Sequence, residues 1–371
     1  MIAEIWFAVI LLCLTMYVAL DGYDLGIGIH LIFARNPKHK RYLLDIVATA
    51  WDGNESWLIL LGVALWGGFP LAYGVMLPHL FLPMVLILFG LIVRGVSIEL
   101  VSESDRPRRG WLAGFTYGSL VAAFAQGIVF GALTQNVTIV DGAYSGSALG
   151  VFTPYTMLTG LTTVLVYASL GAGFIRLKAD AAHAEIGAKA SSHGRIFLGF
   201  ATVLSALCAI SVNATDAPLQ LGSPTRIVLF IILVVVAAAG AIVAFVAFGR
   251  APKDLSATGS RSGSLPFVAV TASVVAGLLA YAVARYPTLL PPDLTITAAR
   301  APSQTLDFLL IGVGINIPLV LFYNWYAHRV FRGKYSVPRE SRPPNTSATS
   351  YALSPSRRRA PSAPATRGGD S

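Results

Sequence analysis

Charge is scarce in this sequence. Of its 371 residues, 27 are Lys or Arg and 18 are Asp or Glu, so only 12% of the chain is charged, against roughly a quarter in soluble domains. That scarcity excludes an ordinary water-soluble protein of this length, which would be one or two domains with alternating or heptad-like apolar patterns. Cysteine is nearly missing. Cys13 and Cys208 both fall in apolar stretches, outside any CxxC or CxxCH pattern. Zinc, thiol-redox and covalent haem chemistry of that type are therefore excluded, and both cysteines read as packing residues. Basic residues are missing from the opening MIAEIWFAVILL, whose one charge is Glu4. A secretory leader opens basic and carries a short apolar core. Here the apolar stretch runs on, so it reads as a retained first span.

What is present is apolar. Hydrophobic residues make up 55% of the chain, gathered in blocks of about twenty or more, long enough to cross a bilayer as helices. They predict an all-α integral membrane protein of about nine spans, at 5–33, 43–69, 78–101, 112–135, 154–177, 195–214, 226–249, 265–285 and 304–330. The intervening loops alternate in charge. Arg35, Lys38, Lys40 and Arg41 lie in the first, Arg106, Arg108 and Arg109 in the third, Arg176, Lys178, Lys189 and Arg195 in the fifth, and Arg250, Lys253 and Arg261 in the seventh. Loops 70–77 and 136–153 have no basic residue, and the other two offer only Arg226, Arg285 and Arg300. The positive-inside rule then puts the N-terminus in the periplasm and the C-terminus in the cytoplasm, which an odd number of spans requires. The net charge of +9 is thus a membrane-orientation signal, and no nucleic-acid partner is expected. Residues 335–371, rich in Pro, Ser and Arg, read as a disordered basic cytoplasmic tail suited to anionic lipid. The spans and their connections, 1–334, form the transmembrane domain.

Ionisable residues inside spans are costly, and where they persist they mark function. The first span holds Asp21 and Asp24 in DGYDLGIG, the second Asp52, Asn54 and Glu55 in WDGNESW, and the third Arg94 and, nearer its end, Glu99. At the helical rise, both acidic pairs lie about 14–18 Å from the cytoplasmic ends of their spans, and Arg94 about 10 Å from its own. Each acidic pair has i, i+3 spacing and so shares one face. Asp21, Asp24, Asp52, Glu55 and Arg94 are therefore expected to form one polar cluster in the cytoplasmic half of the first bundle, with Asp52 nearest a partner. The cluster is either an ion-paired network or one that includes neutral carboxylic acids, and either form suits a proton path. A plainer reading stands beside this one. If the second span begins near Ser56, Asp52 and Asn54 are helix caps and the level match is lost. Gly22, Gly26 and Gly28 read as helix-packing residues. Trp51, Trp57 and Trp66 read either as packing and interface anchors or as the lining of a channel. The six histidines, His30, His39, His79, His183, His193 and His328, all fall in loops or near span ends. None sits mid-span opposite another, where a membrane haem needs its axial ligand. No haem, metal or catalytic residue is expected in this chain alone.

These clusters carry a resemblance. Asp21-Gly-Tyr-Asp-Leu-Gly-Ile-Gly28, Trp51-Asp-Gly-Asn-Glu-Ser-Trp-Leu58, Phe69-Pro-Leu-Ala-Tyr73, Arg94-Gly-Val96, Phe124-Ala-Gln-Gly127, Thr153-Pro154, Leu294-Thr-Ile296 and Val330-Phe-Arg-Gly-Lys334 run in order from the first span to the end of the ninth. In this the chain resembles subunit II of cytochrome bd-type quinol oxidases, in particular the cyanide-insensitive branch. Ser56 stands where that branch is expected to have Thr, and Thr297 where many members have Trp.

The resemblance implies two four-helix bundles plus a peripheral helix, and a heterodimer with a haem-bearing subunit I in the bacterial inner membrane. It leaves open a small single-span third subunit. It implies a respiratory-chain complex in which quinol is oxidised and dioxygen is reduced to water, with haems b and d in the partner subunit. Quinone would be substrate or structural ligand, and subunit II would help to deliver protons and, in some members, oxygen. Asp52 and Arg94 then fall on a proposed proton route, and Trp57 corresponds to the second Trp of the motif. Two other readings remain: a proton-coupled secondary transporter, and a scaffold subunit without chemistry of its own.

Overall fold

The computed structural model describes residues 1–48, 51–102, 109–212, 220–250, 261–292, 294–330 and 333. The expected disordered tail lies outside the described residues, as do Arg106, Arg108 and Lys253 of the basic loops. Long helices dominate: α1 (Ile2–His30), α2 (Pro37–Val47), α3 (Trp51–Gly68), α4 (Pro70–His79), α5 (Phe81–Ser102), α6 (Arg109–Leu133), α7 (Pro154–Lys178), α8 (Ala184–Ser211), α9 (Pro224–Phe248), α10 (Arg261–Arg285), the short α11 (Ile296–Ala299) and α12 (Ser303–Val330). Helices α1, α3, α5 and α6 pack as one four-helix group and α7 to α10 as a second. α7 lies against α1 and α6, and α12 stays peripheral, touching α1 and α3. Two small antiparallel hairpins, β1 (Ile139–Val140) with β2 (Ala143–Tyr144) and β3 (Thr288–Leu290) with β4 (Leu294–Thr295), fold the loops at one end of the bundles. Asp141 and Gly142 turn the first with positive φ at both positions, the conformation that matches the twist of a tight hairpin.

Eight of the described helices are long and apolar enough to cross a membrane. Helix α3 is not among them, because Asp52, Asn54 and Glu55 occupy its start. The single second span expected over 43–69 is divided. Helix α2 runs only to Val47, capped at its start by Asn36 accepting from the Lys38 N–H, and α3 starts afresh at Trp51. Its far end stops at Phe69, where Pro70 opens α4. Proline has no N–H to continue a helix but fits its first turn. The third span accordingly begins at Phe81 rather than 78.

Small residues set the spacing of the bundles. A Cβ on Gly26 would strike the Tyr167 carbonyl of α7, one on Gly171 would strike the Gly26 backbone, and one on Gly28 would strike the Ser119 hydroxyl of α6. Gly22 leaves room for the Tyr167 ring, 2.9 Å from where its Cβ would stand. Close approach of this kind replaces the hydrophobic drive that helices lack inside a bilayer. Overfilling such a seam costs about 1–3 kcal/mol. Gly26→Ala is therefore expected to lower the thermal midpoint of the detergent-purified protein, whereas Gly62→Ala, with nothing within 4 Å of its Cβ, leaves it unchanged. Equal midpoints for the two variants would contradict this packing account.

Candidate functional site

From Asp21 to His30 every residue of α1 is buried, because that half of the helix is enclosed by α3, α6 and α7. Asp21 and Asp24, one turn apart, point to the same side. The residue that answers them comes from α5. A Cβ on Gly118 of α6 would lie 3.1 Å from the Arg94 backbone nitrogen, so α6 is drawn tightly onto α5 at this level. The Arg94 Nη1 donates to Asp21 Oδ1 at 2.6 Å, and its Nη2 lies 3.9 Å from Asp24 Oδ2, all three side chains being essentially inaccessible. From α3, Asn54 Nδ2 donates both to Asp24 Oδ2 at 2.8 Å and to the Tyr23 hydroxyl at 2.7 Å.

The polar line extends both ways. On one side the Tyr17 hydroxyl stands next to the Asp21 carboxylate. It accepts from Gln126 Nε2 of α6 at 2.7 Å, and the Tyr167 hydroxyl of α7 donates to Gln126 Oε1 at 2.8 Å. On the other side Tyr23 lies 3.3 Å from Nε2 of His328 in α12. Sequence reasoning missed Tyr17, Tyr23, Gln126, Tyr167 and His328 as members of this line, and weighed Asn54 only as a helix cap. A mid-span glutamine in Phe124-Ala-Gln-Gly127 was the available signal, since an amide in hydrocarbon requires partners.

Of the five residues expected to cluster, Asp21, Asp24 and Arg94 are joined directly. Glu55 is partly buried and within electrostatic reach of Arg94. Asp52 is not joined: its side chain is exposed in the first turn of α3. The reason is helical phase. Asn54 and Trp57, one turn apart, form the buried face of α3 against α1, and a residue two before Asn54 points to the opposite side. The alternative that α3 starts near Ser56 also gives way, since the helix already includes Trp51. Trp57 is fully buried with Cys13 and Tyr17, while the Trp51 ring edge would lie 3.4 Å from a Cβ on Gly95 of α5. Trp66 is exposed on the outer surface.

A cavity of about 1100 Å³ runs between the two helix groups. Its wall is apolar, with Tyr17, Glu55, Gln126 and Tyr167 at the ion cluster and Tyr281 and Arg285 elsewhere in the lining. No histidine is among its described lining residues. A long hydrocarbon chain with a small polar head fits this lining. Among the described residues no group of three His, Cys, Asp or Glu is placed to hold a metal ion.

The charges at the cluster do not balance, because two fully buried carboxylates face one guanidinium. Asp21 Oδ2, Asp24 Oδ1, Asn54 Oδ1 and both Nε and Nη2 of Arg94 are also buried without a hydrogen-bond partner. Buried polar atoms are normally satisfied, by internal water where protein groups do not reach them. The arrangement has the capacity to bind water and to take up a proton.

A membrane protein of two four-helix groups with a buried carboxylate–arginine cluster is the class that fold and site define. The profile of the family described as cytochrome bd terminal oxidase subunit II matches residues 2–331, and the chain belongs to that family. It is 26% identical to the cytochrome bd ubiquinol oxidase subunit 2 of Bacillus subtilis, over 90% of this chain and 96% of the relative. It is 31% identical to the cytochrome bd-I ubiquinol oxidase subunit 2 of Escherichia coli over 47% of this chain, a match spanning about half of that relative's length, 48%. The fold is shared with the bd oxidase structure from Geobacillus thermodenitrificans, at a TM-score of 0.70 and 20% identity over 89% of this chain and 98% of that one.

Removing one member of a buried ion pair strands the other and costs about 3–5 kcal/mol. Arg94→Leu is expected to reduce the yield of monodisperse protein and to lower its thermal midpoint, and adding Asp21→Asn to recover part of the loss. Size-exclusion profiles after a heating series check this. An Arg94→Leu profile matching the unmodified protein would show that the cluster does not hold the bundle.

Proposed function

We propose that this chain is subunit II of a bd-type quinol oxidase, an oxidoreductase complex that oxidises quinol and reduces dioxygen to water. It supports a haem-bearing subunit I and helps to deliver protons to it. The observation that carries this reading is the buried Asp21–Arg94–Asp24 cluster, an exchangeable acidic site inside a chain of this family. Oxygen reduction consumes protons, and carboxylates that gain and lose them inside a bilayer need charge compensation, which Arg94 supplies. Asp52, exposed on α3, is placed to meet the partner subunit. Its role is to hand protons across that boundary, because an uncovered carboxylate at membrane depth is too costly to face lipid. The haems b and d, which supply the electron transfer and oxygen chemistry, belong to subunit I. In the cavity, Tyr17 and Gln126 would hold the polar head of a quinone and the apolar walls its tail. A proton-coupled transporter gains no support from the cluster, which lies in one helix group and has no counterpart among the described residues of the other.

Co-expression with the haem-bearing subunit and oxygen-uptake measurements test this. The purified complex is expected to show haem b and haem d absorption and quinol-dependent oxygen uptake, while this chain purified alone shows neither. Asp52→Asn is expected to leave the haem spectrum intact and to reduce turnover at matched haem content about tenfold or more. A complex without those haems would remove the oxidase reading, and unchanged turnover in Asp52→Asn across the working pH range would remove Asp52 from the route.

The charge alternation of the loops supports a periplasmic N-terminus, nine crossings with α3 as the second, and a cytoplasmic C-terminus in the bacterial inner membrane. Reporter fusions after Lys334 are expected to be active for a cytoplasmic reporter and silent for a periplasmic one; the reverse pattern would contradict the orientation.

A further inference from the structure

His328 ends the polar line on the outside of the helix groups. It lies in the last turn of α12, at an open groove of about 460 Å³ between α1 and α12. Its Nδ1 is 2.9 Å from the Asn324 carbonyl oxygen. A carbonyl only accepts, so Nδ1 carries a hydrogen and, in the neutral ring, Nε2 is an acceptor. The Tyr23 hydroxyl, 3.3 Å away, then donates to Nε2. The Tyr23 oxygen accepts from Asn54, whose amide nitrogen also donates to Asp24 Oδ2. Two oxygens held by one nitrogen lie within about 5.5 Å of each other, a gap that one water bridges. Asp24 Oδ1 is buried there with no partner.

We propose that His328 is the proton-loading residue of the buried carboxylate cluster, passing protons to Asp24 through Tyr23. This rests on the proton-delivery reading above. Protonation of Nε2 reverses the bond: the imidazolium donates, the Tyr23 oxygen accepts, and the hydroxyl hydrogen of Tyr23 is freed to turn toward Asp24. That hydrogen passes through a bridging water to the Asp24 carboxylate while the Nε2 proton follows onto the Tyr23 oxygen. The products are neutral His328, an intact tyrosine and a protonated Asp24, so one proton has moved. Asn54 is a positioning residue, since its amide nitrogen only donates and cannot itself relay. The groups facing His328 are Tyr23 of α1, with Asn54 of α3 behind it, and Asn324 and Arg329 of its own helix. Among the described residues that line the groove, Arg329 is the one that carries a permanent charge.

The test uses the complete complex with its haem-bearing partner, at matched haem content. His328→Ala opens a ring-sized space at the groove. Oxygen uptake is expected to fall about tenfold or more and to be restored by added imidazole in proportion to its imidazolium fraction. Tyr23→Phe gives the same loss without rescue, and combining it with His328→Ala adds nothing further. His328→Gln keeps a hydrogen-bond partner for Tyr23 but cannot titrate, and stays slow; it carries the test if the alanine variant does not assemble. Full uptake in His328→Gln, or a loss in His328→Ala that imidazole does not restore, overturns the proposal. Asp24→Asn separates the two layers. Normal turnover there removes the proton-delivery reading itself, whereas a slow Asp24→Asn beside a normal His328→Gln removes only the role of His328.

Discussion

One guanidinium set against two carboxylates, away from water, is the constraint on which the first helix group depends. Three charges at this depth persist only if they meet with good geometry and if the remaining lone pairs and protons are answered. The chain meets the first demand with the 2.6 Å contact of Arg94 to Asp21 and with Asn54 on Asp24. Small residues make both possible. Gly118 admits α6 against the Arg94 backbone, and Gly26 and Gly171 admit α7 against α1. The second demand is left partly open, in that five buried polar atoms of the cluster have no hydrogen-bond partner. A site built only for stability would close them or dispense with the charges. A proton route requires an acidic site with room for water and a group that can exchange protons, and the open atoms of this cluster meet the first of these conditions.

Much of this was legible in the sequence, for identifiable reasons. Apolar block length reveals spans directly, and a charge inside such a block stands out whatever the fold. Asp21, Asp24 and Arg94 were therefore found from the chain alone, and the rise per residue brought α1 and α3 to one level. Helical phase was not legible at the start of α3. The polar WDGNESW stretch has no apolar period to orient it, so Asp52 was grouped with residues from which it points away, and the inward-facing Asn54 was weighed only as a cap. Partners joined across hundreds of positions, such as Tyr23 with His328, leave no mark in spacing. Nor do tyrosines in an apolar span declare whether their hydroxyls find partners.

The second helix group contributes the other wall of the 1100 Å³ cavity and, through Tyr167, one end of the polar line. The cavity and the ion cluster thus share Tyr17 and Gln126. A ligand head bound there would touch the same hydrogen-bond line that reaches Asp21, which gives occupancy of the cavity a physical means of biasing the cluster. Peripheral α12 touches α1 and α3 and brings His328 to the opposite end of that line.

The central claim is that Asp24 gains and loses a proton during turnover. Infrared difference spectroscopy of the assembled complex between its oxidised and reduced states reads this directly, through the carbonyl stretch of a protonated carboxyl group and its shift in heavy water. The account predicts a deuterium-sensitive band that disappears in Asp24→Asn and persists in Asp52→Asn. A difference spectrum with the same band in Asp24→Asn would contradict it.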